Sequence, residues 1–319
     1  MHIADLHIIP QEYIFCRNQN GVIEPFTKEP YTVEQIKSLL SAIAPDYIQI
    51  LQSSAKGDID KSYSINGIRC RVNIYKTMRG ICATIRILAG NIPSMTELGL
   101  PVVVQNLIHK DHGLILFTAS TGNGKSTSIA SMLEAINETQ KKRAILIEDP
   151  IEYIYETKQS VFSQREVGRD VEDFATGLRA ALREDPDIIM IGEMRDRETI
   201  SAALTAAESG HLVFSTLHSA DCIQATDRIL QYFPSSQHDI IAAQFANALE
   251  AVIAQKLLPR KRREGRVAAF EVLLRTPAIQ NLIRTGKTFN LHTYMTRNEG
   301  MMTMNESVND LARRGVIAL

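Results

Sequence analysis

The chain has 319 residues, of which 45% are hydrophobic and 22% charged, and a formal net charge of −1. That length supports two domains with cores of their own. The near-neutral balance excludes a strong field toward nucleic acid or an anionic membrane. Cys16, Cys70, Cys82 and Cys222 are scattered without a CxxC pair, which argues against a disulfide framework or zinc site and fits a reducing cytosol.

Residues 1–10 lack a basic start followed by a long apolar run, so no secretory signal is expected there. Up to about Leu88, short β-like runs alternate with turn signals. Residues 32–43 predict a helix, with Thr32 as N-cap and Glu34 and Gln35 in its first turn. Residues 72–75 and 81–87 predict strands. Together these give a small α+β domain over residues 1–90. Arg69, Arg71, Arg79 and Arg86 lie in or near its strands. Strand arginines are usually surface ion pairs, but they can also reach a phosphate held by a neighbouring subunit. Residues 89–93, Ala-Gly-Asn-Ile-Pro, predict the linker.

Residues 91–319 change rhythm. Apolar runs at 114–117, 144–147, 188–191 and 212–215 are separated by longer helical patterns. Uninterrupted apolar strands of this kind predict a parallel sheet covered on both faces. Ligands of such sheets sit at the carboxyl ends of the strands, so the polar residues just beyond each run are the candidates for function.

The first run leads into residues 119–127, Ala-Ser-Thr-Gly-Asn-Gly-Lys-Ser-Thr, and a helical pattern follows over 127–136. Strand, glycine-rich loop and helix together make a phosphate-binding loop. Small residues let amide groups turn toward phosphate oxygens at the positive end of the helix dipole. Ser120, Thr121, Gly122, Asn123, Gly124, Lys125, Ser126 and Thr127 are the candidate nucleotide contacts. Lys125 would reach the β- and γ-phosphates, and the Ser126 hydroxyl would ligate Mg²⁺. Ala119 stands where the usual pattern has glycine, which costs little at negative φ and more at positive φ.

The second run ends in Glu148-Asp-Pro-Ile-Glu152. Three carboxylates this close are costly to bury without cations nearby. Glu152 is the candidate base for activating water, against the alternative of a solvated acidic turn. The third run ends in Gly192-Glu193, and Glu193 would orient Mg²⁺ or its waters. His211 and His218 flank the fourth run. Each could sense a γ-phosphate through a hydrogen bond or serve only the structure. Residues 240–258 form the longest weakly charged stretch and predict a helix with one buried face, not a membrane span. The basic run Arg260-Lys-Arg-Arg263, with Arg266, predicts a solvated loop.

These strings together resemble the PilT-type retraction ATPases of type IV pili, within the secretion ATPase superfamily, over nearly the whole chain. Asp5-Leu-His-Ile8 is similar to that family's opening motif, with Ala4 in its serine position. Little precedes it here, which implies a shortened leading helix. Arg71-Val-Asn73, Arg79-Gly80 and Arg86 are similar to the arginine pattern of the family's PAS-like N-terminal domain. The resemblance therefore favours these three as arginine fingers. Residues 119–127, 147–152, 182–196 and 210–218 resemble the Walker A loop, the Asp box, the Walker B region and the His box. Ala278-Ile-Gln-Asn-Leu-Ile-Arg-Thr285 resembles the retraction signature, with Gln280 for an arginine and Thr285 for a glutamate.

The resemblance implies a RecA-like P-loop core with a C-terminal helical region behind a smaller PAS-like domain. It implies a Mg²⁺-dependent ATPase that hydrolyses ATP as a cytoplasmic homohexamer at the inner face of the bacterial inner membrane. An inner-membrane platform protein would receive the motion, membrane contact would come only through partners, and no nucleic acid is expected. A secretion or conjugation ATPase of the same superfamily, and a weakly hydrolysing accessory ring subunit, share the same core boxes. The longer N-terminal region and tetracysteine site typical of assembly ATPases are not found in this sequence, which favours retraction.

Overall fold

The computed structural model describes residues 3–18, 22–53, 57–65, 68–87, 90–261 and 265–318. Leu88 and Ala89 near the linker, and Arg262 and Arg263 of the basic run, lie outside the described residues. The chain divides into two compact units, Met1–Asn91 with Glu152–Ile154, and Ile92–Ile151 with Tyr155–Leu319.

The first unit is an antiparallel sheet with two helices. Its strands are β1 (Ile3–Ile8), β2 (Phe15–Asn18), β3 (Ile23–Pro25), β4 (Asp58–Ile65), β5 (Ile68–Thr77) and β6 (Gly80–Ile87). They run in the order β3-β2-β1-β6-β5-β4. The period-two pattern of β5 buries Cys70, Val72 and Ile74 with Ile36, Leu40 and Leu51 of the helices. Arg71 and Asn73 fall on the opposite face. The helix Val33–Ile43 starts where the sequence predicts, because Thr32 and Gln35 form a reciprocal capping box.

The second unit carries the α/β core. Its strands are β7 (Gly113–Thr118), β8 (Arg143–Glu148), β9 (Val161–Glu166), β10 (Ile188–Ile191), β11 (Leu212–Leu217), β12 (Leu249–Pro259) and β13 (Arg266–Leu274). The order is β13-β12-β7-β11-β10-β8-β9. Every neighbouring pair is parallel except β12 with β13. Leu114 and Leu116 enter one apolar cluster, and Ile115 and Phe117 the other. Both faces are therefore covered, which is why these strands carry no polar alternation. The fold is the expected RecA-like α/β core with a smaller α+β unit.

One expectation fails. Residues 240–258 are not a single helix: the helix His238–Ala248 ends and β12 begins at Leu249. Leu249 is the C-cap and takes an extended conformation. The run from Leu249 to Ala254 is buried throughout between β7 and β13. Burial on both faces erases the alternation that would have marked a strand, so the segment reads as helical by periodicity.

The helix Pro277–Arg284 covers the signature string and packs its Ile279, Leu282 and Ile283 into the core. Gln280, in place of an arginine, donates from Nε2 to the Ala246 carbonyl at 3.0 Å, in the last turn of the neighbouring helix. Thr285 Oγ1 donates to the Asn281 carbonyl at 2.7 Å. Both departures from the signature thus have partners of their own.

Phe214, in the middle of β11, is fully buried. Phe214→Ala is expected to lower unfolding stability by about 3–5 kcal/mol. Denaturant titration checks this, and a loss below about 1 kcal/mol would mean that the sheet centre repacks without a cavity.

Candidate functional site

The carboxyl ends of β7, β11, β10 and β8 lie side by side in that order. Their parallel register carries four groups to one edge: the loop 119–124, His218, Glu193 and Glu148.

The loop owes its shape to two glycines. Gly122 and Gly124 take φ of 79° and 80°, in the left-handed region that penalises a Cβ. Ala119 does not adopt positive φ, so its departure from the pattern carries no backbone strain. The loop's carbonyls are engaged: Asn123 Nδ2 donates to Ser120 O at 3.2 Å, and Gln255 Nε2 donates to Asn123 O at 2.7 Å. Lys125 Nζ donates to Ala119 O at 2.8 Å, folding the ammonium back over the loop. Thr121 and Gly122 sit inside a hydrogen-bonded turn from Ser120 to Asn123, and among the described residues the amides of Thr121, Gly122 and Gly124 donate to no protein acceptor. Backbone amides of a small-residue loop, a lysine only 8% exposed and the start of the helix Lys125–Thr139 come together here, an arrangement that suits an anion. Ser126 and Thr127 follow, half-buried in the first turn.

Beside this loop, Thr118 Oγ1 donates to Ser219 O at 2.8 Å and accepts from Ser219 N at 2.9 Å. That double bond clamps the ends of β7 and β11 together. His218, immediately before, places Nε2 3.1 Å from Glu193 Oε2. Glu193 is 8% exposed and also meets the Arg195 guanidinium. Thr216 Oγ1 donates to Gly192 O at 2.6 Å and fixes the turn that aims Glu193. Burial, with the Lys125 and Arg195 cations, holds the His218 imidazole below its ordinary pKa, so His218 is neutral near pH 7.

Ser126 and Glu193 offer hydroxyl and carboxylate oxygens, the hard donors that suit Mg²⁺. Among the described residues no group of three or more His, Cys, Asp or Glu is placed to hold a metal by itself. The donor set fits an ion that completes its shell with phosphate oxygens and water. Glu148, at the end of β8, is buried and accepts from Gln164 Nε2 at 2.9 Å. Glu152, four residues further on, groups with the first unit and not with the unit that carries Lys125 and Glu193.

His211 does not join this site. It lies before the amino end of β11, where Nδ1 is 2.9 Å from Ala206 O and 3.1 Å from Ser209 Oγ. Its own carbonyl accepts from Gly113 N at 3.0 Å, at the start of β7. A six-residue strand separates it from His218, a span of about 20 Å. Its role in the fold is to tie off the preceding helix, so of the two candidate γ-phosphate sensors the structure brings only His218 to the loop edge.

In the first unit, Arg71 and Arg86 face each other across β5 and β6. Arg71 makes a two-pronged pair with Asp60 at 2.9 and 2.6 Å, and Arg86 meets Asp5 at 2.8 Å. Arg79 stands apart at the β5–β6 turn, paired with Glu12 at 2.8 Å. The sequence pattern therefore yields one adjacent pair and one separate arginine.

Sequence reasoning missed Gln255, Thr118 and Ser219. The signal for Gln255 was its polarity inside an apolar run. Thr118 and Ser219 are 101 residues apart, and nothing local marks them as partners.

The family model for "Type II/IV secretion system protein" matches residues 56–319. A "Twitching motility protein" of Neisseria gonorrhoeae is 40% identical over 291 residues, covering 90% of this chain and 77% of the relative. A "Type IV pilus retractation ATPase PilT" of Pseudomonas aeruginosa is 42% identical over 264 residues, covering 82% of this chain and 76% of the relative. A crystal structure of the pilus retraction motor PilT with bound ADP aligns with a TM-score of 0.91 at 40% identity, covering 99% of this chain and 91% of the other.

The His218 shift has a sign that can be checked. A lowered folded pKa means that the unfolded chain binds the proton first, so this residue's contribution to stability is present above the ordinary value of 6.5 and lost as pH falls below it. NMR titration should place the His218 midpoint below 6.5, and His218→Gln should flatten that part of the stability profile. A midpoint above 6.5 would mean that the Glu193 carboxylate governs the ring instead.

Proposed function

The chain belongs to the type II/IV secretion system protein family as a PilT-type member, and we propose that it is an ATP hydrolase driving retraction of type IV pili. The observation that carries this reading is the set of loop amides gathered around Lys125 at the carboxyl end of β7. Such a cradle recognises the phosphates of a nucleotide and not its base. The retraction branch is favoured by the signature helix, whose apolar face is packed and whose two altered residues have partners.

Each residue then has a task. Lys125 leaves the Ala119 carbonyl for the β- and γ-phosphates, and the loop amides hold their oxygens. Ser126 and Glu193 would hold Mg²⁺, which would supply positive charge against the phosphate oxygens. Glu152 takes the proton of the attacking water. The single N–H of neutral His218 moves from Glu193 to the γ-phosphate, and returns to Glu193 when that phosphate is lost. Arg71 and Arg86 exchange their carboxylates for the phosphates of a neighbouring subunit in a homohexamer, as the charge of the transition state develops. The motion passes to an inner-membrane platform protein at the pilus base. No helix among the described residues is long and apolar enough to cross a membrane, and the motor sits on the cytoplasmic face of the inner membrane through that partner.

Phosphate release by the purified chain tests the assignment. Lys125→Ala is expected to lose ATP turnover while keeping its fold, and undiminished turnover would reject the loop. Glu152→Gln is expected to keep ATP affinity within about threefold and lose hydrolysis by 100-fold or more. A collapse of affinity would assign Glu152 to binding instead.

A further inference from the structure

The loop's cradle depends on which way its peptide planes face. In a trans peptide, the carbonyl of one residue and the N–H of the next point to opposite sides. The cis bond among the described residues is Asp149–Pro150, so the loop peptides are trans. A donor that fixes the direction of a loop carbonyl therefore fixes the opposite direction for the following N–H.

Three side chains do this. Asn123 Nδ2 on Ser120 O aims the amide of Thr121, and Gln255 Nε2 on Asn123 O aims that of Gly124. Arg266 Nη1 donates to Gly122 O at 3.2 Å, which aims the amide of Asn123. Two of these donors stand on the β12–β13 hairpin. The Leu257 amide of the same hairpin donates to Asn123 Oδ1 at 2.9 Å and orients that side chain. Gln255 is fully engaged beneath the loop, its Oε1 accepting from Ser128 Oγ at 2.8 Å. Arg266 differs from it in being exposed and charged. A cationic donor on a carbonyl polarises the whole peptide, so the attached N–H becomes a stronger donor to an anion.

We infer that Arg266, in the run first read as a solvated basic loop, is a positioning residue for nucleotide binding. It holds the Gly122–Asn123 peptide in one direction. The inference rests on the ATPase reading and extends it to a residue outside the loop, the Asp box, the Walker B region and the His box. It predicts a role in affinity and not in the chemical step, because the peptide is oriented equally in ground and transition states.

The test compares Arg266→Ala, Arg266→Lys and Lys261→Ala in the full chain, by ADP binding and steady-state ATP turnover. Lys261 is an exposed cation of the same hairpin whose backbone amide donates to Val316 O at 2.8 Å, away from the loop. Arg266→Ala is expected to raise the ADP Kd and the ATP KM about fivefold or more, with kcat within about twofold. Arg266→Lys should recover most of the loss, and Lys261→Ala should leave all three constants unchanged. An Arg266→Ala protein that binds like wild type overturns the inference, as does an equal loss in Lys261→Ala, which would reduce the effect to bulk charge. If the wild-type chain itself binds no ADP, the ATPase reading falls and this inference with it.

Discussion

Carbonyl oxygens at Ser120, Gly122 and Asn123 are each held by a side chain, and that constraint decides what the rest of the second unit can do. A loop of small residues has many conformations of similar energy. Holding it in one of them without help would oppose a large backbone entropy. Here the supporting donors come partly from the strand pair β12 and β13, more than 130 residues further along the chain. The anion site is thus preorganised by the fold, and the left-handed glycines Gly122 and Gly124 let the backbone accept that shape.

The same edge of the sheet carries a second constraint. Thr118 and Ser219 bind each other twice, so the loop after β7 and the loop after β11 form one piece. His218 belongs to that piece and touches Glu193, which belongs to the loop after β10. A change in charge at the cradle is therefore met by a neutral imidazole and a buried carboxylate within one hydrogen bond of each other. Further back, buried Glu271 accepts from Cys222 N at 2.8 Å and Met304 N at 3.2 Å. It joins the start of the helix following the His box to the start of a C-terminal helix, where each amino end favours a negative charge.

What the sequence made legible was what local chemistry dictates. The phosphate loop, the strand-end acid Glu193 and the Thr32 cap are short strings whose local structure follows from neighbouring residues. The apolar runs that became β7, β8, β10 and β11 were legible because helices cover both of their faces. Each failure has its own physical cause. β12 was read as helix because burial on both sides removed its alternation. His211 was offered as a phosphate sensor alongside His218 because both flank one strand, although a strand separates its two ends completely. Gln255, Arg266 and the Thr118–Ser219 clamp were hidden because their partners are distant in the chain, and no local pattern records a contact of that kind.

The central claim is that backbone amides and one lysine grip phosphate, with the rest of the nucleotide secondary. Competition binding of ATP, ADP, AMP and adenosine to the intact chain tests it most directly. The account predicts one site per chain, with affinity falling steeply from ADP to AMP as the phosphate nearest Lys125 is removed, and no measurable binding of adenosine. AMP or adenosine competing as well as ADP would contradict it.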